Sequence, residues 1–204
     1  MFPGLPIFCG VLSSIIGLVI IGFIVETGHN YIKNPKAKLP NWSNFNSLLF
    51  TGFKSIFGST LLFLPLVFVF IVFIIVSIKV EASGVKTPEQ SEYYALYLFT
   101  EIAYQLLNLF LTIVFFSFNA NFLKELNVFE FLNYPKAFKN IKNYFTEYIV
   151  LVLLLFAINM VYGLLMVLLI ISVIGILVIP FVNIYINIVN TILTARFAQI
   201  AKKD

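Results

Sequence analysis

Glu101, Gln105, Asn108 and Thr112 follow one another at spacings of 4, 3 and 4 inside a run that is otherwise almost wholly apolar, and Asn183, Asn187, Asn190 and Thr194 repeat those spacings 82 positions later. Such spacings place each set on one face of a helix. A carboxyl group followed by amides and a hydroxyl along one face is the chemistry of a polar path, along which a proton or a small polar solute passes between hydrogen-bonding groups. The same residues also serve a plainer purpose as interhelical glue, each contact contributing roughly 0.6 to 2 kcal/mol in an apolar setting. The two sets are expected at equal depth, lying against each other or lining a shared cavity, with Asn159 as a further contributor.

Other chemistry is sparse. The single Cys9 and single His29 exclude an intrachain disulfide and the Cys/His spacings of zinc sites, so no metal or other cofactor is expected. There is no phosphate-binding glycine loop and no nucleophile elbow, and the only aspartate is Asp204. His29 with Glu26 nearby is the one pairing that could serve an enzyme acting on lipid, and the chain is read as non-enzymatic. A pI near 9.1 reflects where basic residues fall along the chain and not a basic groove, so nucleic acid is not an expected partner.

The elements that must position these residues follow from composition. Of 204 residues, 61% are hydrophobic and 11% charged, with a mean hydropathy of +1.01. Soluble domains carry about a quarter of their residues charged to cover their surface, so most of this surface must face hydrocarbon. A bilayer core about 30 Å thick needs about 20 apolar helical residues to cross. Met1 to Val25 and Ser55 to Ile78 have no charged side chain, and Tyr93 to Leu123 has only Glu101. Tyr148 to Ala195 is also free of charge; as one helix it would run about 72 Å, so it must fold back. The reversal is expected at Ser172-Val173-Ile174-Gly175, on the glycine, with Pro180 in or near the first turn of the returning helix. Five spans result, at approximately 5–25, 56–78, 94–118, 148–171 and 176–198, in an all-α integral membrane bundle forming a single membrane domain over 1–204. The first segment lacks a basic leader and a small-residue cleavage site, so it is expected to stay as a span.

Lysines and arginines set the orientation, because basic residues near helix ends are retained in the cytoplasm. Lys33, Lys36, Lys38 and Lys54 lie in one connection, Lys124, Lys136, Lys139 and Lys142 in another, and Arg196, Lys202 and Lys203 after the last span. The connection 79–92 offsets Lys79 and Lys86 with Glu81, Glu89 and Glu92, and the hairpin near Gly175 has no charge. Five crossings place every basic segment on one side, giving an outside N-terminus and a cytoplasmic C-terminus in the cell membrane.

Two amphipathic helices are expected on the inner surface. Over residues 43–55, Phe45, Leu48, Leu49 and Phe53, continued by Ile56, oppose Asn44, Asn46, Ser47, Thr51 and Lys54, with Trp42 as an anchor at headgroup depth. Over residues 135–146, Ala137, Phe138, Ile141 and Phe145 oppose Lys136, Lys139 and Lys142. These three lysines and Lys54 would meet anionic lipid headgroups, each contributing about 1 kcal/mol near a charged surface. Ser13, Gly17, Gly58, Ser59 and Gly163 are small residues suited to close approach of helices.

Gly22-Phe23-Ile24 ending a span, Lys38-Leu39-Pro40-Asn41-Trp42, Phe50-Thr51-Gly52-Phe53-Lys54, the Asn34-Pro35-Lys36 and Tyr134-Pro135-Lys136 elements, and Ile179-Pro180-Phe181 with Tyr185 form a recurring set. The chain resembles an uncharacterised family of archaeal and bacterial polytopic membrane proteins known as a domain of unknown function. That resemblance implies an integral membrane location and no established activity. It also implies a longer polar segment ahead of the first span. The function expected is that of a scaffold or accessory membrane component, in a homo-oligomer or a membrane complex, with a small transporter or channel subunit acting through Glu101 as the alternative.

Overall fold

The structure, a computed structural model, describes residues 5–84 and 91–201. Among them are six α-helices and no strand: α1 (Leu5–Lys33), α2 (Phe45–Ala82), α3 (Tyr94–Glu125), α4 (Tyr134–Asn143), α5 (Phe145–Ile171) and α6 (Val173–Ile200). All but α4 are long and apolar enough to cross a membrane, which makes this a multi-pass membrane protein. Lys86 and Glu89 of the weakly basic connection, and Lys202 and Lys203 of the last basic segment, fall outside the described residues.

The helices outrun the expected spans. At the basic end, α1 continues to Lys33 and α3 to Glu125, because long charged side chains can carry their heads to water while their stems cover apolar surface. Most consequential is α2. The stretch 43–55 is not a separate surface helix: from Phe45 onward it is the first part of a 38-residue helix that runs on unbroken through Gly52, Gly58 and Pro65. The expected apolar face is split between the protein interior and the exterior. Leu48, Thr51 and Gly52 are buried, whereas Phe45, Phe53 and Ile56 are exposed.

The chain divides into two compact units. The larger holds residues 1–58 and 116–204 and the smaller holds 59–115. In the larger unit α6 packs on both α1 and α5, and α4 sits against α5. Val19, Phe23 and Leu48 form a core cluster joined by Leu49 and Ile188. Close approach of α1 and α2 depends on two glycines. A Cβ on Gly22 would fall inside the Leu48 carbonyl, and one on Gly52 inside the Leu18 carbonyl, so backbone meets backbone where any side chain would separate the helices. Trp42 closes this crossing by stacking on Phe23, with ring centroids 4.3 Å apart and planes 8° from parallel. Among the expected small-residue contacts, Gly58 meets the Phe131 ring, but Gly17 and Gly163 face open space.

The reversal between α5 and α6 comes where it was expected and by a different device. Ser172 alone leaves the helical region, with φ −100° and ψ 134°, and its Oγ accepts a hydrogen bond of 2.9 Å from the Gly175 N–H. This is a serine N-cap. Gly175 lies inside the first turn of α6, and its role is space, since a Cβ there would run into the Leu169 carbonyl. With α6 starting at Val173, Pro180 stands beyond the first turn, where its missing N–H leaves a carbonyl one turn back without its usual donor.

The smaller unit is a hairpin of the remainder of α2 and most of α3. Phe63 packs on Phe115, Phe70 on Tyr104, and Phe73 on both Tyr97 and Tyr104, with centroids 5.5 to 6.4 Å apart. Lys79 lies 5.5 Å from the centroid of the Tyr93 ring near the turn.

Candidate functional site

The two polar stripes fall in different units. On α3, Glu101 and Asn108 are half-buried and Gln105 and Thr112 exposed, on a face roughly a sixth of a turn from the Tyr97 and Tyr104 edge that meets α2. On α6, polarity is largely answered by the helix itself. Asn187 Nδ2 donates to the Asn183 carbonyl at 2.8 Å and to Asn183 Oδ1 at 2.9 Å, and Thr194 Oγ1 donates to the Asn190 carbonyl at 2.9 Å. Asn190 reaches across to Asn159 of α5, the two amides exchanging contacts of 3.3 and 3.5 Å, while Asn159 also donates to the Leu155 carbonyl at 2.7 Å. This amide pair is a modest tie between α5 and α6.

The densest polar chemistry lies instead at the basic end of the larger unit. Asn133 caps α4, its Oδ1 accepting from the Lys136 N–H, and Pro135 occupies the first turn. The helix is thereby set so that Ala137 and Asn140 face inward, while Phe138, Lys139 and Lys142 face out. Ser117 Oγ donates to the Ala137 carbonyl at 2.9 Å, and Asn140 Nδ2 donates to Asn121 Oδ1 at 2.7 Å, both inside the protein. Asn121 Nδ2 is buried with no hydrogen-bond partner among the described residues.

Lys136 is the hub of the cluster. Its Nζ lies 2.7 Å from Glu125 Oε1 and 2.9 Å from Glu130 Oε2, the second contact being an ion pair without hydrogen-bond direction. Desolvation lowers the lysine's pKa, but the carboxylates of Glu125 and Glu130 outweigh it and hold it above its ordinary value. Glu130 is only 7% exposed, on a 3₁₀ turn, Val128–Leu132, capped by Asn127. The turn follows Leu126, whose φ of 52° puts a leucine where glycine ordinarily ends a helix. Lys136, expected to contact lipid, is one-third exposed and pairs with Glu125 and Glu130; Lys54, Lys139 and Lys142 are exposed.

Three further ties join helix ends. His29 Nδ1 lies 2.7 Å from the Leu123 carbonyl; a carbonyl only accepts, so Nδ1 carries the proton. Gln199 Nε2 donates to the Tyr31 and Ile32 carbonyls at 2.8 and 3.1 Å, and Lys124 Nζ donates to the Ala201 carbonyl at 3.1 Å. The last carbonyls of a helix have no partner of their own, so each bond fills a vacancy of the backbone. Glu26, considered with His29 for lipid chemistry, turns to α2: its Oε1 accepts from Ser47 Oγ at 2.6 Å and from Thr51 Oγ1 at 3.1 Å. None of these long-range ties was identified in the sequence. The available signal was the concentration of amides, hydroxyls and acids beside the lysines.

No curated protein and no solved structure matches the chain. A family model does, over residues 8–171, described as a protein of unknown function, DUF4013. The glycine, KLPNW, FTGFK and proline-lysine elements lie within that stretch, and Ile179-Pro180-Phe181 with Tyr185 lies beyond it. Spanning most of this multi-pass helical chain, the match establishes that it belongs to the DUF4013 family.

Proposed function

We propose that the protein is a non-enzymatic membrane scaffold or accessory component, seated with its basic end against anionic headgroups of the cytoplasmic leaflet and its N-terminus outside. One observation carries this: at the basic end the amides, hydroxyls, histidine and acids bind one another and helix ends, while Lys54, Lys139 and Lys142 point outward. Groups satisfied in this way supply rigidity, and outward lysines supply attraction to a negative surface. Phe138 and Phe145, both exposed beside the lysines, fit the amphipathic character expected of this surface. The transporter reading through Glu101 gains less, since the α6 amides bond mainly along their own helix.

Replacing Lys54, Lys139 and Lys142 together with glutamine is expected to weaken anionic-lipid enrichment around the protein by about 3 kcal/mol in total, roughly 1 kcal/mol per lysine. Lipid exchange measured in nanodiscs of mixed anionic and zwitterionic lipid reads this directly. Unchanged enrichment would remove the lysines from the account. In the same preparations Glu101→Gln is expected to leave assembly and lipid enrichment intact; loss of a pH-driven flux in liposomes with this variant would instead favour the transporter.

A further inference from the structure

At the basic end of the α5–α6 pair, a groove of about 330 Å³ runs between the helices. Leu151 and Phe197 are buried in its wall, and the half-exposed Val150 and Leu154 flank it. Its remaining wall is also apolar, apart from Thr146, Glu147 and Arg196. Glu147 and Arg196 are exposed, and neither enters an ion pair with a described residue. One groove therefore combines an apolar slot with one negative and one positive group, each open to a partner.

We infer that this groove binds one zwitterionic aminophospholipid of the leaflet at the basic end. An acyl segment would lie along Val150, Leu151, Leu154 and Phe197, the lipid phosphate would meet the Arg196 guanidinium, and the lipid ammonium would meet the Glu147 carboxylate. The charges match in both sign and number. An anionic lipid such as phosphatidylglycerol would satisfy Arg196 through its phosphate but offer no cation to Glu147, and a detergent tail would use neither. Specificity thus comes from the carboxylate, and a lysine-rich surface alone would select the opposite class. The inference rests on the helices spanning a bilayer and is independent of the scaffold role.

The test uses the whole protein purified from membranes of equal phosphatidylethanolamine and phosphatidylglycerol, with bound lipid counted by native mass spectrometry. The wild type is expected to retain one phosphatidylethanolamine, enriched about fivefold over the bulk mixture, the factor that one surface charge supports. Glu147→Gln should abolish that enrichment, and Arg196→Gln should lower total retained phospholipid by about the same factor. Leu154→Trp, which fills the slot, should remove the bound lipid. Should that variant fold poorly, the two exposed charge variants still decide the matter. Changing Lys54, Lys139 and Lys142 to glutamine should leave the groove lipid in place, so failure of the lysine proposal remains distinguishable. Retained lipid matching the bulk composition in the wild type, or an enrichment indifferent to Glu147→Gln, would overturn the inference.

Discussion

Gly52→Val is expected to abolish the native crossing of α1 and α2. The added side chain has no room, because its first carbon falls on the Leu18 carbonyl and near the Gly22 N–H, and a backbone cannot rotate aside as a side chain can. The helices must separate, which uncovers Val19, Phe23 and Leu48 and breaks the Glu26 hydrogen bonds to Ser47 and Thr51. Losses of this kind reach about 4 kcal/mol or more, a large part of what holds a domain folded. Gly22→Val should do the same through the Leu48 carbonyl. Thermal unfolding in detergent, with the monodisperse fraction by size exclusion, measures it. Gly17→Ala provides the contrast: that glycine faces open space, and the variant should match the wild type. A Gly52→Val protein with wild-type stability would show that the α1–α2 contact is absent.

Lys136→Met has the second-largest expected effect. It leaves Glu130 buried without its cation, and breaking a buried pair by removing one partner costs about 3 to 5 kcal/mol. The lysine is one-third exposed, which places the expected loss near the lower figure. Restoring neutrality with Glu130→Gln in the same chain should recover most of the loss, as measured by a double-mutant cycle on unfolding. The pH dependence has a definite sign. A lysine whose folded pKa is raised contributes stability fully below its unfolded value, near 10.5, and loses it as pH rises through the higher folded value. The Lys136 contribution should therefore be constant through neutral pH and disappear only in strong base. A stability difference between wild type and Lys136→Met that vanished near pH 7 would contradict this.

Much of the architecture was legible because hydrocarbon imposes a coarse and severe rule. Charge-free runs had to be spans, and the run from Tyr148 to Ala195 had to reverse. The structure has its helix break at Ser172, inside the expected four residues. Helix ends were harder to read, since lysines and glutamates in the last turns of α1 and α3 look like loop residues although their backbone remains helical. The Phe45 stretch was read as lying on the surface from its periodicity, and that periodicity identified a real face. Phe45, Phe53 and Ile56 of that face are exposed, whereas Leu48, with Thr51 and Gly52, makes the protein contact. In a membrane protein the outward face is commonly the more apolar one, which inverts the rule for soluble helices.

The site was less legible than the fold. A stripe at regular spacing is visible in one dimension, whereas Lys136 with Glu125 and Glu130, His29 with the Leu123 carbonyl, and Gln199 with Tyr31 join residues that only tertiary structure brings together. Glycines had the same limitation. Nothing in the sequence distinguishes Gly22 and Gly52, each against a carbonyl, from Gly17 and Gly163, which meet nothing.

Side-specific labelling of single cysteines tests the central claim most directly: the helices cross a bilayer with their basic ends on one side. With Cys9 replaced by serine, cysteines placed at Lys36, Lys139 and Ser172 are treated with a membrane-impermeant maleimide in intact cells and again after permeabilisation. The account expects positions 36 and 139 to react only after permeabilisation and position 172 to react from outside. Reaction of 36 and 139 from opposite faces, or of all three from one face, would contradict it.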